Sequence, residues 1–290
     1  MPLMHDLRRL KQLASNILAM DMASTDARTA LESMVHFSRG FLLHGAFQDH
    51  RNTWWRARKC SNGSVPKNAP PVAFDNLSEL LYIPTGNPRL GRCNLPGQKV
   101  LYAGSNMRTA WLEIGAQPGD VVQLVSFRQR FFGSMVTPVI GAYREFQDTG
   151  KVAMAPAAQE ILRKERKTRQ NHYKHCLFID RFLSGLFAFK TDEKYMLTAA
   201  LSDYYLKYRP GTAIVYPSVR NSSGRNIAME GRTFDEQFEI IESIVIKIQP
   251  RTNDNVGFDY DLIRRSDQFG PNGEILWDLP AVASDFESFG

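Results

Sequence analysis

The period of the apolar positions changes several times along the chain, and the changes mark its elements. Residues 6–20 and 26–46 carry apolar side chains at helical spacing, in the second segment Leu31, Met34, Val35, Phe37, Phe41 and Leu42, with Ser24 and Thr25 placed to cap it. Residues 1–50 therefore read as a helical extension. Thr53 to Arg58 is short, aromatic and strand-like. It leads into a long connection punctuated by Pro66, Pro70, Pro71, Pro84, Gly86, Pro88 and Gly91, and such connections line binding sites more often than they merely join elements. Lys99 to Ala103 reads as a strand that breaks at Gly104, after which Ser105 can cap a helix with Met107, Ala110, Trp111 and Ile114 on one face. The pattern is extended again over 121–128 and 135–140 and helical over 155–169, 172–187 and 194–208. Thr212 to Tyr216 reads as a buried strand. Phe238 to Ile248 alternates apolar and polar residues, the period of a half-buried antiparallel strand. Short strands mixed irregularly with helices predict an α+β fold.

Composition narrows the class. Of 290 residues 43% are apolar, with 18 Phe, 10 Tyr and 4 Trp, which supplies a sizeable core and excludes a disordered or fibrous chain. No apolar run approaches the roughly 18 residues a membrane span needs, and the start of the chain lacks a secretory pattern, so a cytoplasmic protein is expected. Cys60, Cys93 and Cys176 are odd in number and far apart, which fits a reducing compartment. The net charge of +6 is almost wholly local. Six cations and one acid between Arg163 and Lys174 give +5 there and leave about +1 for the remainder. With Tyr173 as its one aromatic neighbour, this stretch reads first as a solvated helix face. The alternative is a non-catalytic nucleic-acid-binding module using residues 163–175.

Several chemistries are absent by inspection: there is no GxxxxGK[ST] loop, no GxGxxG after a strand, no HExxH, no CxxC and no GxSxG. His172, His175 and Cys176 are the one cluster with metal-ligand character, and no fourth ligand stands at a matching spacing, so no metal is expected. Polar residues instead gather at element ends: Arg56, Arg92, Tyr102, Glu113 and Ser218. On an ideal helix Glu113 lies about 60° from Ala110, so its carboxylate flanks the apolar face.

Taken in order, these segments resemble the RES domain, a family named for an arginine, a glutamate and a serine. The marks are Trp55-Arg56-Ala57-Arg58, Gly91-Arg92-Cys93-Asn94 with Gly97, Leu101-Tyr102-Ala103, Thr109-Ala110-Trp111-Leu112-Glu113, and Ile214-Val215-Tyr216-Pro217-Ser218 with Asn226 in Gly-Arg-Asn-Ile-Ala. The resemblance implies a fold similar to ADP-ribosyltransferases, with mixed, mainly antiparallel sheets and flanking helices. It implies an NAD-binding catalytic domain over 51–250; the helical extension over 1–50 and the tail over 251–290 lie outside the resemblance and take no role from it. It further implies a toxin-like enzyme that consumes NAD by hydrolysis, phosphorolysis or ADP-ribosyl transfer, with an antitoxin or immunity protein as partner. On this reading Glu113 stabilises the positive charge that builds on the ribose, and Tyr102 lies against the nicotinamide ring. Arg56 and Arg92 take the pyrophosphate, and Ser218 and Asn226 hydrogen-bond the ligand. The chain departs from the family pattern at Cys93, where an aromatic is usual, and at Thr198-Ala199, where Thr-Gln is usual.

Overall fold

The computed structural model describes residues 6–38, 53–60, 73–81, 88–130, 137–152, 158–189, 191–208, 212–250 and 260–278. Among them one sheet holds seven strands: β1 Trp54–Lys59, β2 Val100–Gly104, β3 Val121–Gln129, β4 Ala213–Pro217, β5 Arg225–Glu230, β6 Phe238–Ile248 and β7 Tyr260–Ser266. Their spatial order is β4-β5-β2-β1-β3-β6-β7, and every neighbouring pair is antiparallel. The helices are α1 Leu7–Leu18, α2 Ala27–Ser38, α3 Leu77–Leu81, α4 Met107–Glu113, α5 Ala142–Thr149, α6 Ala158–Thr168, α7 Gln170–Phe187, α8 Tyr195–Tyr208 and α9 Gly231–Gln237. The α+β class expected from the pattern is the class observed.

The sheet is not evenly stitched. β1 pairs with β3 from Trp54↔Phe127 to Lys59↔Val122, and β2 pairs with β5 from Val100↔Glu230 to Gly104↔Asn226. Between β1 and β2 there is the single pair Trp55↔Gly104. Beyond it the strands splay, and the orphaned Tyr102 carbonyl accepts from Arg56 Nη1 at 2.9 Å. A side chain thus satisfies a backbone acceptor that a continuous ladder would have paired.

Four local expectations change. Asp26, not Ser24 or Thr25, caps α2, its Oδ1 accepting from Thr29 N at 2.7 Å. Asn106, not Ser105, caps α4 through Thr109 N at 2.8 Å, while Ser105 joins β5 by bonds to Arg225. β6 is not half-buried throughout: Ser243, Ile244, Val245 and Ile246 are all buried, because the strand lies between β3 and β7 with both faces covered. The described part of the extended 135–140 segment makes one parallel bridge, Val139↔Val215, rather than a full strand. Phe41 and Leu42 lie outside the described residues.

The core brings distant segments together. Leu10, Ala14 and Ile17 of α1 and Ala30, Met34 and Phe37 of α2 share one buried cluster with α7, α8 and the β4-β5-β2 half of the sheet. The Phe37 ring lies 4.5 Å from that of Phe182. Beyond residue 250, β7 lines the β6 edge, Ile275 is buried, and Trp277 Nε1 donates to Asp75 Oδ1 at 3.0 Å.

Candidate active site

The gap between β1 and β2 opens into a cavity of about 500 Å³, within the range of small-molecule sites. Its lining includes Trp55, Arg56, Arg92, Tyr102, Glu113 and Asn226, so five of the six residues singled out in the sequence face one space. The sixth, Ser218, touches Glu113 directly.

Glu113 arrives at the cavity because α4 is seated tightly on β2. A Cβ added at Gly104 would stand 2.7 Å from Ala110 N, so only glycine lets the helix approach the strand so closely. Asn106 fixes where α4 begins, and seven residues later Glu113 is its last residue. A carboxylate at a helix C-terminus opposes the partial charge there. Two donors offset this: Ser218 Oγ at 2.6 Å and Asn226 Nδ2 at 2.8 Å, both to Glu113 Oε1. The turn after β4 holds Ser218, whose Oγ accepts from Arg220 N at 3.2 Å and Asn221 N at 3.0 Å.

Arg56 is half-buried on β1. Its Nε donates to Leu80 O at 2.7 Å and Nη1 to Tyr102 O at 2.9 Å, and among the described residues no carboxylate pairs with it. Burial first, and then the neighbouring Arg58, bring its pKa down to about 10, so the guanidinium stays charged at neutral pH. Three of its five N–H groups have no protein acceptor there. A half-buried cation in that state favours an anion beside it. Arg92 is more fully engaged: it donates to Phe187 O, to Phe189 O at 3.1 Å and to the Tyr195 hydroxyl at 2.9 Å, with its guanidinium carbon 4.9 Å from the centre of the Tyr195 ring. Arg58 and Lys59 also line the cavity, Lys59 paired to Asp120 at 2.8 Å, so the wall is predominantly basic.

The Tyr102 ring lines the cavity while its hydroxyl donates to Asn94 Oδ1 at 2.7 Å and accepts from Cys93 N at 2.8 Å. Burial holds this phenol, and that of Tyr216 nearby, well above the ordinary value, so both are neutral donors or packing surfaces. Sequence reasoning passed over Trp55, Tyr195 and Tyr216 as lining residues. Trp55 and Tyr216 stand inside quoted motifs beside Arg56 and Ser218, whereas nothing in the local pattern of Tyr195 sets it apart from a core aromatic.

Other candidates lie elsewhere. Thr198 is buried within α8, its Oγ1 donating to Tyr195 O at 3.2 Å. His172 Nδ1 lies 3.6 Å from Glu165 Oε1 and 3.7 Å from Cys176 Sγ, a thiol that burial pushes up to about 12. Among the described residues no group of three or more His, Cys, Asp or Glu could hold a metal ion. The basic stretch 163–175 lies on α6 and the start of α7, Arg163 is paired with Glu160, and none of its cations lines the cavity holding Glu113. No helix among the described residues is long and apolar enough to cross a membrane.

Compared with known families, residues 53–246 match the model of the RES domain, a span of about two thirds of the chain that includes every residue named at the cavity. No curated protein and no solved structure matches.

Proposed function

The chain belongs to the RES domain family, and on that premise we propose that it is an NAD-consuming, toxin-like enzyme that breaks the bond between nicotinamide and ribose. The observation that carries this reading is the pairing, in one cavity, of a half-buried Arg56 that has no carboxylate partner among the described residues and a Glu113 held by two donors. As neutral nicotinamide departs, its bonding electrons leave with it and positive charge grows on the ribose. A fixed carboxylate lowers the barrier by meeting that charge, because it strengthens its interaction in the transition state more than in the ground state. Ser218 and Asn226 both bond Oε1 of Glu113, which leaves Oε2 for the sugar. Arg56 and Arg92 take the pyrophosphate, whose two negative charges suit the basic wall. The Tyr102 face packs against the nicotinamide ring.

The ADP-ribosyl group then passes to water, inorganic phosphate or a protein side chain, and mass spectrometry of products formed with and without phosphate identifies the acceptor. NAD is a substrate here, and the chemistry needs no metal. Such an activity drains the cytoplasm in which it acts, so an antitoxin or immunity protein that occludes the cavity is the partner proposed. The test is nicotinamide release from NAD by the purified chain. Glu113→Gln should lower turnover by roughly 10²- to 10³-fold, the cost of removing one electrostatic stabiliser, with the melting temperature nearly unchanged. Near wild-type turnover in that variant would refute the role of Glu113.

A further inference from the structure

The N-terminal helices lie outside the matched span of 53–246, yet a short series of contacts joins them to the cavity wall. A single 3-10 turn, Asp192–Lys194, precedes α8. From its last residue, Lys194 Nζ donates to Leu18 O at 3.1 Å and Met20 O at 3.4 Å, carbonyls at the C-terminal end of α1 where a cation is favoured. The next residue is Tyr195, which both accepts from Arg92 Nη2 and presents its ring to that guanidinium. Arg92 in turn reaches Phe187 O and Phe189 O at the C-terminal end of α7. α2 closes the arrangement from the side, its Phe37 ring against Phe178 and Phe182 of α7.

We propose that the α1–α2 pair is a buttress for substrate binding, holding Arg92 in place through Lys194 and Tyr195 and thereby setting the affinity of the cavity for an anionic dinucleotide. Arginine is long and rich in rotamers, so an unheld guanidinium would lose conformational freedom each time it met a phosphate. Here three of its five N–H groups are already committed to protein acceptors, two of them carbonyls at the end of α7 and one a hydroxyl at the start of α8. The orientation of that hydroxyl depends on where α8 begins, and Lys194 ties that point to α1. Lys194 and Tyr195 are on this account positioning residues that act through Arg92 on binding, not on the reacting bond. The inference rests on the NAD reading above.

Steady-state kinetics of nicotinamide release by the full chain tests it, with Lys194→Met, Lys194→Arg, Tyr195→Phe and the double variant Lys194→Met/Tyr195→Phe. Lys194→Met should raise KM for NAD roughly three- to tenfold and change kcat by less than about twofold, the signature of lost binding rather than lost chemistry. Lys194→Arg, which keeps a cation for the α1 carbonyls, should retain the wild-type KM. The double variant should be no worse than Tyr195→Phe alone, because both substitutions cut the same connection. An unchanged KM in Lys194→Met, a fall in kcat alone, or additive losses in the double variant would overturn the buttress while leaving the NAD reading intact. Absence of nicotinamide release by the wild-type chain would overturn both.

Discussion

Ser218 Oγ receives hydrogen bonds from two backbone amides, so its own hydrogen has one direction left, and it points at Glu113 Oε1. The hydroxyl thus donates to the carboxylate, a contact that the order Pro-Ser after a strand did not convey. Ser218→Ala should lower kcat by about tenfold, the worth of one hydrogen bond to a charged group, and so by less than Glu113→Gln. A loss as large as that of Glu113→Gln, or none at all, would argue against a supporting role. Helical period placed Glu113 beside the apolar face of its helix, and Arg56 stood out as a polar residue at an element end within the Trp-Arg-Ala-Arg motif; both line the one cavity. Tyr195 was not legible, since its partner Arg92 is 103 residues away and no periodic pattern encodes that meeting.

Helix α5 has no side-chain cap of its own and begins after Gly141, whose φ of +94° suits glycine alone. Its cap comes from another helix: Asp180 of α7 accepts from Gly141 N at 2.6 Å and Arg144 N at 2.8 Å. Burial raises the Asp180 pKa to about 7, against 3.8 for the free side chain. The unfolded chain therefore holds fewer protons than the folded one between about pH 4 and 7. The stabilisation from this group is complete below that window and is lost as pH rises through 7. Melting temperatures of wild type and Asp180→Asn, measured from pH 8 to 5, should show the wild type gaining on the variant as the solution is acidified, and a constant difference would refute the assignment. Element types were readable from period alone, as in β1, α4 and α8. Caps were displaced by a residue or two, from Thr25 to Asp26 and from Ser105 to Asn106, because adjacent polar residues are equivalent until tertiary contacts choose among them. Asp180 as a cap in trans had no local signal.

At the scale of the molecule, α1 and α2 bury Leu10, Ile17, Met34 and Phe37 in the same core as the sheet, and they behave as part of the body rather than as an arm. Deleting residues 1–50 should expose that apolar surface and lower the melting temperature or cause aggregation. A truncated chain that melts as the full one does would contradict the packing. The tail past residue 250 offered little periodicity, and its contribution as the seventh strand follows from β6 having an edge to cover. The incomplete seam between β1 and β2 shapes the site. Within the sheet, the β4-β5-β2 and β1-β3-β6-β7 portions meet at one backbone pair and at the Arg56 side chain, and the shared core and helix α4 hold the two together beside that seam. The cavity at that seam therefore has a wall from each portion, Arg56 on β1 and Tyr102 on β2, with Glu113 at the end of α4 between them and the solvent-facing mouth left to whatever fills it.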